Sequence, residues 1–233
     1  MTNLQKLHYI NMHTHNLNLN SNIHCIYNLF HTELEIAQIN PKNLYSIGIH
    51  PWQTENIDIL TETEKILKFA SLPNIIAIGE CGIDKLKGTD LINQTKAFES
   101  QAMIAEQLKK PIIIHCVKAF DEIIEIKRKI KPTVSWIIHG YRQSPELAKQ
   151  LINEGFILSF GEKVLNNEQL TQTLPELLKS NTFFLETDNI DNKAVLNLYS
   201  QFSKILAITE TSLIEQIATS FENVFKTSIN THK

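Results

Sequence analysis

Pro111-Ile112-Ile113-Ile114-His115 is the stretch on which the fold turns. Three consecutive isoleucines leave no polar alternation, so a strand made of them is buried on both faces. Strands of that kind belong to parallel sheets covered by helices, and Ile75-Ile76-Ala77-Ile78 reads the same way. Short apolar runs of this sort alternate with longer amphipathic segments along the chain. Strands are expected over residues 7–13, 23–28, 44–49, 75–80, 111–115, 134–139, 156–160 and 182–187. Thr61-Glu62-Thr63-Glu64 fits a capping box opening a helix through Phe69. Further helices are expected over 90–109, 118–130, 167–179, 192–206 and 210–226, with another that Ser144-Pro145 opens and Gly155 closes. Eight strands with intervening helices predict an α/β protein, a TIM-like (β/α) barrel. Residues 14–22 are Asn-rich and too short for a crossover helix, which usually needs about a dozen residues. The barrel is therefore expected either to be irregular or shortened in its first quarter, or to be joined there by a bare loop.

Apolar residues make up 42% and charged residues 20% of the chain, as in ordinary soluble domains. A net charge of −3 excludes a broad basic surface for polyanions, so any nucleic-acid contact has to be local. Three cysteines without regular spacing argue against a disulfide scaffold and suit a reducing compartment. With no basic-then-apolar leader and no long apolar run, the expected location is the cytoplasm, without membrane contact or an obligate protein partner. No linker, charge block or repeat divides residues 1–233, which read as one domain.

Asn11-Met12-His13-Thr14-His15 follows an apolar run that reads as a strand. Residues two apart in a strand point the same way, so His13 and His15 project together as a potential ligand pair. Nine histidines make one chance His-x-His easy to obtain, so the pair alone decides little. Glu80, His115, His139 and Asp188 each stand at the C-terminal end of another expected strand. In a parallel barrel those ends share one rim, where catalytic loops lie. Each has an ordinary alternative: Asp188 as a helix cap, Glu80 as a lysine's partner, a single histidine as a packing residue. Their coincidence at one rim favours metal. Four imidazoles and two carboxylates can hold two divalent ions, one carboxylate bridging.

At this point the sequence resembles the TatD-family metal-dependent hydrolases. The resemblance rests on Asn11-Met12-His13-Thr14-His15, Gly48-Ile49-His50-Pro51-Trp52, Ile78-Gly79-Glu80-Cys81-Gly82-Ile83-Asp84, Pro111–His115, His139-Gly140-Tyr141 and Leu185-Glu186-Thr187-Asp188. These stretches keep the family's order over nearly the whole chain. The resemblance implies a TIM-like barrel of the amidohydrolase superfamily, forming a single TatD-like hydrolase domain. It implies one metal held by His13, His15, Glu80 and Asp188, and a second that Glu80 bridges to and that His115 and His139 hold. Two divalent ions are thus expected, Mg²⁺ or Mn²⁺ by resemblance, with Zn²⁺ also compatible with such donors. The implied activity is that of a deoxyribonuclease trimming from the 3′ end, and single-stranded DNA is the expected substrate because the loops beside the pocket are short. Glu80 and Asp188 are the expected catalytic residues, Asp188 orienting and deprotonating a water whose pKa coordination lowers.

His50 ends the Ile47-Gly48-Ile49 run, where the family places a substrate-contacting histidine; packing against Trp52 is the alternative. Asp84 is expected to anchor the loop after Glu80 or to orient a ligand histidine from behind. Lys118 and Arg142 are candidate phosphate contacts, with a solvated side chain as the equal alternative for both. Cys81 and Cys116 adjoin Glu80 and His115, but strand alternation turns them away as packing residues. His8, His24, His31 and His232 are expected to be structural.

The chain departs from the family beside the pocket. Asn16-Leu17-Asn18 stands where Leu-Asp is common, and the segment from His15 to His50 is short. Lys85-Leu86-Lys87-Gly88 replaces an aromatic-and-arginine loop, and Asn189-Ile190-Asp191 leads almost directly into a helix. These departures keep a second reading open, a hydrolase of a small amide, ester or phosphoester on the same site. The third reading, a non-catalytic metal-binding scaffold, is disfavoured by the complete ligand set.

Overall fold

The isoleucine runs form the wall of a barrel. The computed structural model describes residues 8–17, 22–88 and 90–227. Its strands are β1 (Tyr9–Thr14), β2 (Ile23–Phe30), β3 (Leu44–Gly48), β4 (Ile75–Asp84), β5 (Ile112–Val117), β6 (Trp136–Ile138), β7 (Phe156–Phe160) and β8 (Phe183–Leu185). They pair in chain order, every pair parallel. Ile112, Ile113 and Ile114 are all fully buried, as their lack of alternation requires. Each such side chain contributes ~1.5–3 kcal/mol by leaving water.

The helices are α1 (Ile36–Ile39), α2 (Ile59–Ala70), α3 (Leu91–Leu108), α4 (Phe120–Ile130), α5 (Pro145–Asn153), α6 (Glu168–Leu178), α7 (Ala194–Ile205) and α8 (Glu210–Phe225). The four-residue α1 is too short to show a period, and its sequence does not announce it. Its carbonyl at Ala37 accepts a 2.8 Å bond from the buried Asn74 side chain. The capping box at Thr61 does not form. Asp58 caps α2 instead, accepting from the Leu60 N–H at 3.2 Å and the Thr61 hydroxyl at 2.7 Å. A carboxylate also complements the helix dipole, which a threonine hydroxyl does not. Among the described residues no helix is long and apolar enough to cross a membrane.

The first quarter is complete in strands but irregular in register. Residues 18–21 of the short connection lie outside the described residues, as does His232. Along β1, Asn11 faces Cys25 while Thr14 faces Tyr27, so one extra residue is accommodated at Met12–His13. A second irregularity lies between Ile78 and Cys81 in β4. Bulges of this kind re-aim side chains, and these two flank His13 and Glu80.

β4 and β5 run past their expected ends, so Glu80 and His115 lie within strands instead of terminating them. Pairing continues from Cys81–Ile114 to Asp84–Val117. Conversely, β6 and β8 are shorter than expected, which leaves His139 and Asp188 just beyond them. The long β4–β5 ribbon depends on Gly82. Its φ is +150°, and a Cβ there would sit 1.9 Å from the His115 carbonyl oxygen. Gly82→Ala is expected to destabilise the protein by at least ~3 kcal/mol in urea denaturation. A midpoint equal to wild type would show that the two strands separate freely here.

Candidate metal centre

The barrel closes at the site itself. β8 and β1 meet through one parallel bridge, Thr14 to Asp188. The Asp188 N–H donates to the His13 carbonyl at 3.1 Å, and the His15 N–H donates to the Asp188 carbonyl at 2.9 Å. Asp188 adopts φ +54°, a left-handed conformation that Asp tolerates better than most residues. The buried Asn11 amide completes the seam, donating to Thr187 Oγ1 at 2.8 Å and Asn192 Oδ1 at 3.1 Å and accepting from the Thr187 N–H at 3.0 Å. The same backbone contacts that shut the barrel thus set His13, His15 and Asp188 side by side.

Glu80 is the hub, almost wholly buried, and its two oxygens face different partners. Oε2 lies 3.1 Å from His15 Nε2 and 3.4 Å from His13 Nε2. Oε1 lies 2.6 Å from His115 Nδ1, 2.8 Å from His139 Nε2 and 3.2 Å from His50 Nε2. Asp188 Oδ1 stands on the Oε2 side, 3.7 Å from His15 Nε2 and 4.0 Å from His13 Nε2. Behind the hub, the Glu80 N–H donates to the Asn28 side chain, which also accepts from Ser46 at 3.1 Å. Burial alone pushes the Glu80 carboxyl up, but His139, His115 and His13 together outweigh it and hold it well below the usual range.

Two outer carboxylates orient the rings. Asp84 Oδ2 lies 3.3 Å from His115 Nε2, and Glu186 Oε1 lies 3.1 Å from His139 Nδ1. With those outer nitrogens donating, His115 Nδ1 and His139 Nε2 carry lone pairs directed at Glu80, and they lie only 3.3 Å apart. Three acceptors so close repel unless a proton or a metal cation lies among them. Burial lowers the His139 pKa, yet the charges of Glu80 and Glu186 raise it well above the usual value. The field there thus favours positive charge. Both ring nitrogens of His13 are buried and take part in no hydrogen bond among the described residues. These features fit divalent metal, and donor atoms of His13, His15 and Glu80, of His13, His139 and Asp188, and of His50, Glu80 and His115 lie close enough together to share an ion.

His50 belongs to one of those groups, but its hydrogen bonding argues for another role. Its Nδ1 accepts from the Trp52 N–H at 3.2 Å, so in the neutral ring the hydrogen is on Nε2. Burial lowers its pKa, which favours that neutral form. An Nε2–H pointed into the site is a donor. His50 also packs against Trp52, ring centroids 4.6 Å apart, which is the packing alternative expected for it.

Asp84 faces its own loop with one oxygen and His115 with the other. Oδ1 accepts from the Leu86 and Lys87 N–H groups at 2.8 and 3.0 Å, anchoring the loop, while Oδ2 faces His115. Lys118 and Arg142 are exposed, and among the described residues no hydrogen bond or ion pair engages either side chain. Cys81 is buried with its sulfur 3.9 Å from the Ile113 carbonyl, away from the hub, and burial pushes its thiol well up. Burial likewise pushes Cys116 up to about 12. His8 and His24 pack edge to face against each other, ring centroids 4.6 Å apart. Asn11, Asn28 and Glu186 have no role in the sequence reading, although Asn11 and Glu186 lie inside the motifs quoted. No local signal marks Asn28.

A family profile described as TatD-related DNase matches residues 5–226. A relative from Mycoplasma genitalium, an uncharacterised metal-dependent hydrolase, is 32% identical over 167 residues, covering 67% of this chain and 63% of its own. The 3′-5′ ssDNA/RNA exonuclease TatD of Escherichia fergusonii is 26% identical over 159 residues, covering 66% of this chain and 60% of its own. The matched stretch thus spans less than two thirds of either relative. The crystal structure of YJJV, a TatD homologue from Escherichia coli K12, superposes with a TM-score of 0.78 at 14% identity, covering 95% of this chain and 99% of that one. That likeness establishes the shared TIM-barrel fold.

Proposed function

The chain belongs to the TatD-related DNase family, and from that premise we propose that it is a metal-dependent phosphodiesterase that trims single-stranded DNA from the 3′ end. The observation that carries this reading is the division of Glu80, with His13 and His15 on one carboxylate oxygen and His115 and His139 on the other. A carboxylate divided in this way suits two ions and a bridge between them. Glu80, Asp84, Glu186 and Asp188 supply four negative charges around the centre, which balance two divalent cations. Mg²⁺, Mn²⁺ and Zn²⁺ all accept such donors. When bound, the ions lower the pKa of a water and offset the negative charge of a phosphoryl group.

The chain's own residues do the rest. Asp188, exposed enough to reach solvent, takes the proton from the attacking water at Oδ1. His50 donates its Nε2–H to a phosphoryl oxygen as the bond to the 3′ oxygen breaks. Asp84 and Glu186 hold the His115 and His139 rings, so their inner nitrogens stay directed at the centre. Lys118 and Arg142 stand exposed as phosphate contacts at longer range.

Cleavage of 3′- and 5′-labelled single-stranded oligonucleotides by metal-stripped protein reloaded with Mg²⁺ or Mn²⁺ tests the proposal. Metal-dependent shortening from the 3′ end is expected. The short connection between Asp84 and Leu91 beside the site favours a second reading, hydrolysis of a small phosphoester, ester or amide. Two ions bound per chain without any cleavage of DNA would move the assignment there. Glu186→Gln should weaken metal binding about 10-fold by loosening His139. A titration that gives wild-type affinity would remove Glu186 from the centre.

A further inference from the structure

Trp52 is an exposed aromatic at the edge of the metal centre. The chain has two tryptophans; Trp136 is fully buried, whereas Trp52 is 42% exposed. The Trp52 ring lies 4.6 Å from the His50 ring and 5.6 Å from the His115 ring. Its indole N–H donates to Asp84 Oδ2 at 2.7 Å, the oxygen that also faces His115. The other Asp84 oxygen fixes the loop that carries Lys87, whose ammonium stands 3.4 Å above the indole centroid. Gly88 seals that loop onto the Trp52 turn: at φ +99°, a Cβ there would lie 3.0 Å from the Pro51 carbonyl oxygen. Among the described residues no carboxylate pairs with Lys87. An aromatic face and an unpaired cation are therefore held beside the place where phosphate is processed, by the same carboxylate that orients a ring of the centre.

Resting on the phosphodiesterase reading, we propose that Trp52 and Lys87 form a nucleotide subsite. The base next to the scissile phosphate stacks on the indole in place of the ammonium, and Lys87 turns to that nucleotide's phosphate. The exchange is favourable. An ammonium over an exposed indole gains about two- to fivefold in an equilibrium, whereas a base stacked on an aromatic side chain gains about five- to 150-fold. The displaced ammonium then finds an anion where it previously had only a ring. The subsite discriminates little among bases, since every base has a stacking face, and it favours unpaired strands over duplex.

The test uses Mg²⁺-loaded protein with deoxyadenosine 5′-monophosphate and with deoxyribose 5-phosphate, neither of which contains a diester to cleave. The mononucleotide is expected to quench the exposed tryptophan emission saturably, and calorimetry should show it binding at least about fivefold tighter than the sugar phosphate. Trp52→Leu should abolish that difference, and Trp52→Phe, which keeps a ring but lacks the N–H, should keep most of it. Because both variants lose the bond to Asp84, an effect transmitted through His115 would appear equally in both, with a change in metal content. Lys87→Met should weaken both probes alike and flatten their salt dependence. Equal affinity of the two probes for the wild type, no binding of the mononucleotide, or a preference for the mononucleotide over the sugar phosphate that survives in Trp52→Leu overturns the subsite. Unchanged binding in Lys87→Met overturns the part assigned to the lysine. Oligonucleotide cleavage with equal binding of the mononucleotide and the sugar phosphate would leave the nuclease reading standing and the subsite refuted; tighter binding of the mononucleotide without cleavage would do the reverse.

Discussion

Glu80→Gln is expected to leave the protein folded and nearly free of metal. The substitution preserves shape but removes the charge from a group that faces five imidazoles. An amide also places a donor N–H₂ where one of the carboxylate oxygens met a ring nitrogen, so at least one side of the bridge turns from ligand to obstacle. Losing an outer partner of a metal ligand already costs about 10- to 100-fold in affinity. In the proposed centre Glu80 is shared by both positions, so its loss should exceed that at each of them. Metal analysis after dialysis, with circular dichroism as the check on folding, decides the matter. A folded variant that retains two ions per chain would show that Glu80 does not bridge, and the division of its two oxygens would then have no bearing on metal.

Asp188→Asn should reduce turnover by about 10²- to 10⁴-fold at saturating metal, the range that a positioned general base contributes. The choice of asparagine matters because Asp188 sits at φ +54°. Asn tolerates the left-handed region as well as Asp does, so the backbone bonds to His13 and His15 survive and the barrel seam stays closed. Alanine would strain that position and confound a lost base with a disturbed seam. Rates with a chromogenic phosphodiester and with labelled oligonucleotides, both at metal concentrations that saturate the variant, provide the comparison. Turnover close to wild type would exclude Asp188 as the base.

Much of this protein was legible from local rules. Uninterrupted isoleucine runs imply strands buried on both faces, because a side chain without polar alternation has no face to offer water. Eight short apolar segments, several of them isoleucine-rich, separated by amphipathic ones imply the barrel. In a parallel barrel all strand ends of one polarity share a rim, so His13, His15, Glu80, His115, His139 and Asp188 could be assigned to one place without knowing a single contact. Where local signals competed, the reading slipped. Asp58 and Thr61 both offer a cap to α2, and nothing within the segment ranks them.

What the sequence by itself determined was the kind of sheet, the rim and the ligand-type residues on it, because periodicity and strand direction depend on neighbours a few positions apart. The tertiary structure alone decided how those groups are held. Asn28 meets Glu80 across 52 positions, Glu186 meets His139 across 47, and Asn11 meets Thr187 across 176. The bulges at Met12–His13 and between Ile78 and Cys81 likewise arise from pairing between strands and leave no trace in either strand read singly. The Trp52–Asp84–Lys87 arrangement beside the centre has the same origin. Closing the chain into a barrel brings distant residues within hydrogen-bond range, and only there do their donors and acceptors select one another.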